Sequence, residues 1–197
     1  MHSTLTLELP TSTVLQVTPE QFEALAAANR DLRLERTAKG ELIVMPPAGG
    51  ESSQRNFSLT AQLGIWVEAH RDLGEGFDSS GGFILPNGAI RSPDAAWVSR
   101  SRWDALTSEQ RRGFPPLCPD FVIELRSGSD RLPPLQAKMQ EYLDNGTGLG
   151  WLIDPQRQQV EIYRDGGEVE VLERPLELSG EGVLPEFRLN LQRIWSP

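Results

Sequence analysis

Apolar positions along the chain recur with two different spacings, and the spacing changes at clusters of Gly and Pro. The stretch "TPEQFEALAAAN" predicts a helix: Thr18 suits the N-cap, Pro19 the first turn, and Gln21 completes the capping-box spacing. "LRLERTAKGELIVMPP" predicts two strands around a turn at Lys39-Gly40. After the breakers Pro46, Pro47, Gly49 and Gly50, residues from Glu51 to about Asp72 predict the longest helix. Leu59, Leu63 and Trp66 fall on its apolar face, and Glu51, Gln54, Arg55, Ser58 and Gln62 form an opposite polar stripe.

Downstream, Asn87-Gly88 between two apolar segments predicts a hairpin or tight bend, leading into a strand through Asp94 to Val98. "SRWDALTSEQRRG" reads as short helical turns, "CPDFVIEL" as a buried strand, and "PPLQAKMQEYLDNG" as a helix with Pro at its start and an Asn-Gly stop. "LGWLIDPQRQQVEIYRDGGEVEVL" alternates well, with turn residues at Asp154-Pro155 and Asp165-Gly166-Gly167, and predicts a meander of three strands. The class is α/β, with helices set between strands expected to share one sheet. No repeat, low-complexity tract or linker divides the chain, so one domain over residues 1–197 is expected.

Charge and composition narrow the chemistry. The formal charge of −9 argues against a broad basic face gripping phosphates, while leaving room for a local one. The one cysteine, Cys118, has no partner for an intramolecular disulfide, and with only His2 and His70 there is no soft ligand set for a structural zinc. Any metal would be held by oxygen. The apolar runs are too short for a membrane span and "MHSTLTLELP" lacks the pattern of a secretory leader, so a cytoplasmic location with no membrane partner is expected.

In "PDFVIELRSGSDRL" an acid stands where a buried strand ends. Alternation puts Glu124 on one face with Val122 and Arg126, and Phe121, Ile123 and Leu125 on the other. Asp94 opens the other strand. If the two strands are neighbours, the carboxylates converge, and a hard cation such as Mg²⁺ or Mn²⁺ would remove their repulsion. Taken alone, Asp94 also reads as a turn or strand-end cap, and Glu124 as half of a surface ion pair with Arg126. Leu135, Lys138, Met139 and Tyr142 follow helical spacing, which sets a lysine on the buried stripe. Either its stem snorkels, or its amine points into the acidic site, where it could orient or activate a metal-bound water and stabilise charge at a phosphate.

The order Ser-Pro-Asp94, Pro-Asp-Phe-Val-Ile-Glu124, a helix with Lys138 and Tyr142, then "GWLIDP" resembles the PD-(D/E)xK nuclease superfamily. More narrowly it is similar to the Uma-two family of restriction-endonuclease-like proteins, from about residue 18 onward and including "MPPAGGES" and "VLPEFRLNLQRIW". The resemblance implies a restriction-endonuclease-like fold: a mixed central sheet flanked by helices, with an N-terminal hairpin and a C-terminal meander. It implies an endonuclease hydrolysing DNA phosphodiesters, with Asp94 and Glu124 as ligands of Mg²⁺ or Mn²⁺ and Lys138 assisting. Arg126 stands where the superfamily's lysine would be; a guanidinium can clamp phosphate but cannot serve as a general base. Glu51 corresponds to an acid that joins the metal site in several superfamily members, and equally suits a first-turn acid complementing the helix dipole. Arg55, Arg91, Arg126 and Lys138 are the candidate phosphate cations. Many nucleases cut two strands by pairing subunits, which makes a homodimer an expectation. The rival reading is an inactive relative that serves as a nucleic-acid-binding or oligomeric assembly module.

Overall fold

The structure is a computed structural model that describes residues 14–196. His2, Pro197 and the N-terminal stretch read for a leader lie outside the described residues. Helix α1 (Pro19–Ala28) starts with the expected reciprocal box, in which Thr18 and Gln21 each accept from the other's backbone N–H. Strands β1 (Arg33–Arg36) and β2 (Leu42–Met45) form the N-terminal hairpin. Gly40 closes its turn at φ +90, a left-handed conformation in which a Cβ would be strained.

Helix α2 (Gly50–Ala69) is followed by β3 (Gly74–Asp78), the short pair β4 (Phe83–Ile84) and β5 (Ile90–Arg91), and β6 (Ala95–Ser99). Gly88, at φ +84, turns the chain between β4 and β5, as the Asn-Gly pair predicts. The surface turns α3 (Arg100–Asp104) and α4 (Ser108–Arg112) precede β7 (Phe121–Leu125). Helix α5 (Leu132–Asp144) leads into the meander β8 (Leu149–Asp154), β9 (Gln159–Arg164) and β10 (Glu170–Glu173). A small pair, β11 (Glu177–Ser179) and β12 (Arg188–Asn190), and the turn α6 (Gln192–Trp195) complete the described chain.

Six strands form the central sheet in the order β10-β9-β8-β7-β6-β3. It is mixed: β7 and β8 run parallel, joined by α5, while the other neighbours are antiparallel. A parallel pair needs such a crossover, because no tight turn can return the chain to the same end. Every residue of β7 and β8 is buried, which explains why both read as apolar runs with little alternation. On one face α2 contributes Leu59, Leu63, Trp66 and Val67 to a core with Phe121, Ile123, Trp151 and Phe187. On the other, Met139 and Tyr142 of α5 pack on Val122, Ala96 and Leu152. Gly150 lets α5 approach closely, since a Cβ there would stand 2.6 Å from the Met139 methyl.

The strands do not all share one sheet. The hairpin β1–β2 joins β5 and β4 in a separate sheet of order β2-β1-β5-β4, and Phe22 of α1 packs there against Leu34 and Ile90. Residues Ser92 to Asp94 link β5 of that small sheet to β6 of the central one, so the two sheets meet beside the opening of β6. Among the described residues, no helix is long and apolar enough to cross a membrane.

Candidate active site

The antiparallel register of β6 and β7 pairs Ala95 with Ile123. One step further it sets Asp94 opposite Glu124 on the same face, where directly paired residues stand about 4.5–5.5 Å apart at Cβ. Backbone contacts fix this junction: Asp94 N–H donates to Ile123 O at 3.0 Å, and Leu125 N–H donates to Asp94 Oδ2 at 2.8 Å. The face is the one covered by α5, so Lys138 reaches both the strand and the small sheet. Its Nζ lies 2.7 Å from Glu124 Oε1 and 2.7 Å from Glu35 Oε1, and the Tyr142 hydroxyl donates to Glu124 Oε1 at 3.0 Å.

Glu35, on β1, is the residue that sequence reasoning missed. It is buried and also accepts from Arg91 Nη1 at 3.1 Å and from Ser92 N–H at 3.0 Å. Arg91 in turn donates to Glu141 at 2.6 Å. Arg33, two residues before Glu35 and therefore on the same face of β1, donates to Asp94 Oδ1 at 3.0 Å and to Ser92 O at 2.8 Å. A signal existed: in "LRLERT" Arg33 and Glu35 alternate with Leu32 and Leu34, so one face of the strand is entirely charged. Nothing local says what that face meets, since its partners lie 56 to 103 positions away.

Across this cluster, four carboxylates (Glu35, Asp94, Glu124, Glu141) face three cations (Arg33, Arg91, Lys138). Glu35 has two cations of its own. Although burial would raise its pKa, Lys138 and then Arg91 hold it below the ordinary carboxylate range. Glu124 only shares Lys138. Burial pushes its carboxyl up to about 7, with the neighbouring charges of Asp94 and Glu35 adding to the rise and Lys138 opposing it. Burial would lower the Lys138 amine, but Glu124 and Glu35 outweigh it and keep the ammonium charged. Tyr142 is raised well above the ordinary phenol value by burial and by Glu124, so it stays a hydrogen-bond donor. Lys138 is therefore suited to act as a fixed cation and not as a base.

The cluster's donor chemistry fits a hard divalent cation. Its oxygens are carboxylates, it carries one more negative than positive charge once Glu124 ionises above pH about 7, and both Glu124 contacts fall on Oε1 and leave Oε2 out. Among the described residues no three His, Cys, Asp or Glu side chains are grouped so as to hold a metal ion. Water and substrate oxygens would have to complete the shell, as Mg²⁺ commonly requires.

The other expected site residues lie elsewhere. Arg126 shares a face with Glu124, but its guanidinium lies 2.7 Å from Asp154 Oδ2 and donates through Nε to Asp130 O at 3.1 Å. Asp154 Oδ1 accepts from Gln156 and Arg157 N–H, so Arg126 ties the end of β7 to the β8–β9 turn. Glu51 is exposed on α2 and pairs with Arg55 at 3.2 Å, and Arg55 donates to Ile194 O at 2.9 Å. Because α2 covers the opposite face of the sheet, the structure does not bring Glu51 or Arg55 to Asp94 and Glu124. Two residues that were not expected at the site, Asp120 and His70, also lie away from it: Asp120, at the far end of β7, pairs with Arg102. His70 stacks on Trp66, and its Nδ1 lies 2.8 Å from Trp66 O, the carbonyl accepting.

Residues 19–192 match the Uma2 family, described as "Putative restriction endonuclease", and the chain belongs to that family. Its fold is similar to the crystal structure of "a putative nuclease belonging to DUF820" from Anabaena variabilis ATCC 29413. The two share 23% identity at a TM-score of 0.69, over 83% of this chain and 89% of that one. No curated protein matches the chain. The family and the neighbour agree with the restriction-endonuclease-like architecture built above, a mixed sheet with a helix on each face.

Proposed function

We propose that this chain is a metal-dependent endonuclease that hydrolyses phosphodiester bonds in DNA, with Asp94 and Glu124 as the residues that would hold Mg²⁺ or Mn²⁺. The observation that carries the reading is the junction of β6 and β7, where two acids stand opposite each other within reach of a buried lysine that bonds one of them. Family membership supports it. Bound there, a divalent ion would supply Lewis acidity toward a phosphate oxygen and toward water.

The chain's own residues have separable roles in this reading. Lys138 keeps a positive charge against Glu124 and stabilises negative charge developing at a phosphate. Tyr142 and Lys138 together fix the Glu124 carboxylate through Oε1. Glu35 fixes Lys138, and Arg91 and Ser92 fix Glu35, so the small sheet acts as the support of the site. Arg33 is the partly exposed cation next to Asp94 and suits a phosphate contact better than Arg126, which Asp154 occupies.

One observation favours a second reading, an inactive relative serving as a binding or assembly module. Both Asp94 oxygens are already engaged, by Arg33 and by Leu125 N–H. Calorimetric titration of Mn²⁺ separates the two. The nuclease reading expects binding by the native chain and its loss in Asp94→Ala; equal binding by both proteins would remove Asp94 from any metal site.

A further inference from the structure

The acidic cluster at the junction of β6 and β7 is covered by one of its own side chains. Arg33 is the outermost member, 31% exposed at its side chain against 14% for Asp94 and 5% for Glu124, so the cluster meets solvent chiefly at the Arg33–Asp94 pair. Its Nη1 donates to Asp94 Oδ1 at 3.0 Å and its Nη2 to Ser92 O at 2.8 Å. The charge serves Glu124 as well: burial would lower the guanidinium's pKa, but Asp94 and then Glu124 outweigh it and hold the value above that of an ordinary arginine. Arg33 thus brings positive charge to the same two carboxylates that would hold a divalent ion.

The two oxygens of Asp94 are held in different ways. On Oδ2 the donor is Leu125 N–H, a backbone group at the end of β7 that keeps the carboxylate oriented. On Oδ1 the donor is a long, partly exposed side chain, which can turn away without disturbing the strand. Its covering position is also poorly satisfied. Arg33 Nε is buried and meets no acceptor among the described residues, whereas the Nε–H groups of Arg36, Arg91 and Arg126 donate to Val17 O, Glu141 and Asp130 O. A buried donor without an acceptor destabilises that one rotamer. Leaving Asp94 relieves the defect and offsets part of the two bonds given up.

Charge decides when it leaves. With Glu124 ionised and Arg33 withdrawn, four carboxylates face only Arg91 and Lys138, and one divalent cation makes the cluster neutral. With Arg33 still on Asp94 the same ion would leave it positive. The released guanidinium matches the single negative charge of one phosphodiester, and its planar fork suits two phosphate oxygens. We infer that Arg33 is an exchangeable latch: it holds Asp94 Oδ1 until a divalent cation takes that oxygen, and then turns to a backbone phosphate of the nucleic acid. Metal and substrate are thereby coupled, each favouring the other by the same factor. The inference rests on the metal-site reading above and adds that one residue both opposes the ion and recruits DNA. The occupied Asp94 is then the resting arrangement of a working site and not the mark of an inactive one.

The test reads binding and not cleavage. Mn²⁺ is titrated by calorimetry into the native chain and into Arg33→Met, which keeps the stem and removes the competing charge, and duplex DNA is titrated into both with and without Ca²⁺. Arg33→Gln takes the place of Arg33→Met if thermal unfolding shows that the methionine variant does not fold. The variant should bind Mn²⁺ about tenfold or more tightly than the native chain, the scale of one charged hydrogen bond no longer in competition. Ca²⁺ should tighten DNA binding by the native chain about fivefold or more, and that gain should shrink severalfold in the variant. Mn²⁺ binding that is equal in the two proteins, or weaker in the variant, would overturn the latch and leave the metal site standing. Tighter Mn²⁺ binding with an undiminished gain from Ca²⁺ would also overturn it, since Arg33 would then be a fixed counter-charge. No Mn²⁺ binding by either protein would overturn the latch and the metal site together.

Discussion

Replacing Lys138 with Met keeps the apolar stem packed on α5's buried stripe and removes the charge that bridges Glu35 and Glu124 at 2.7 Å each. All three side chains are nearly inaccessible, so the loss is that of a buried pair, about 3–5 kcal/mol, and not the 1 kcal/mol or less of an exposed one. The cost depends on pH, with a definite sign. Without the ammonium, both carboxyls have folded-state pKa values above those of the native protein, so the folded variant holds protons that the native protein has already released. Wherever it does, its stability relative to native falls as pH rises, by about 1.4 kcal/mol per pH unit for each extra proton held. Glu35 contributes from just above its depressed native value, and Glu124 from about 7 upward. Urea unfolding of both proteins at pH 8 and pH 5.5 measures the difference. The variant should lose about 3–5 kcal/mol at pH 8 and at least about 2 kcal/mol less at pH 5.5. An equal loss at both pH values, or a loss below about 1 kcal/mol at pH 8, would refute the buried-bridge argument.

Arg126→Lys keeps a cation beside Asp154 but gives up the guanidinium's second bond to Asp130 O, so it should cost about 1 kcal/mol by thermal unfolding and leave plasmid cleavage unchanged. A tenfold change in cleavage would put Arg126 in the chemistry. Cys118, whose thiol burial pushes up to about 11, holds about a hundredfold less thiolate than an ordinary thiol at pH 8, so native protein should react with a thiol reagent far more slowly than urea-unfolded protein. Comparable rates would show that the pocket around Thr147 is open. DNA binding by Glu124→Gln in Ca²⁺ should weaken only gently with salt, because few cations are free to meet phosphate and each neutralised phosphate adds roughly 0.9 to the log–log slope. A slope near that of a broadly basic binder would contradict the narrow site.

What the sequence made legible follows the range over which its signals act. Thr18 and Gln21, Asn87-Gly88 and the turn at Asp154-Pro155 act over a few residues, and each stands where the local chemistry predicts. Asp94, Glu124 and Lys138 were readable because each breaks its own element's pattern: an acid at the start or end of a buried strand, a lysine on a buried helical stripe. Glu35 and Arg33 break no pattern, since a half-buried strand tolerates a charged face, and only the pairing of β1 with β5 across 50-odd positions shows that this face is covered. The partner of Arg126 is hidden for a related reason. Alternation correctly gave its face, but Asp154, which claims its guanidinium, sits on β8 at a register no local pattern reveals. On α2 the period gave Leu59, Leu63 and Trp66 correctly. Its polar stripe in part faces protein, because Arg55 and Gln62 satisfy backbone groups of residues 190–194 and leave Phe57 and Ile65 to solvent.

The central claim is that Asp94 and Glu124 form a divalent-metal site for DNA cleavage, and it is tested most directly with supercoiled plasmid incubated in Mn²⁺ with native protein and with Glu124→Gln. The glutamine keeps the shape of the side chain and its bond from Tyr142 while removing the charge that the metal would meet. The account predicts nicking or linearisation by the native protein, abolished by chelator and lost by at least about a hundredfold in the variant, the scale of a missing catalytic electrostatic group. Equal cleavage by the two proteins, or none by native protein that is folded and binds Mn²⁺, would contradict it.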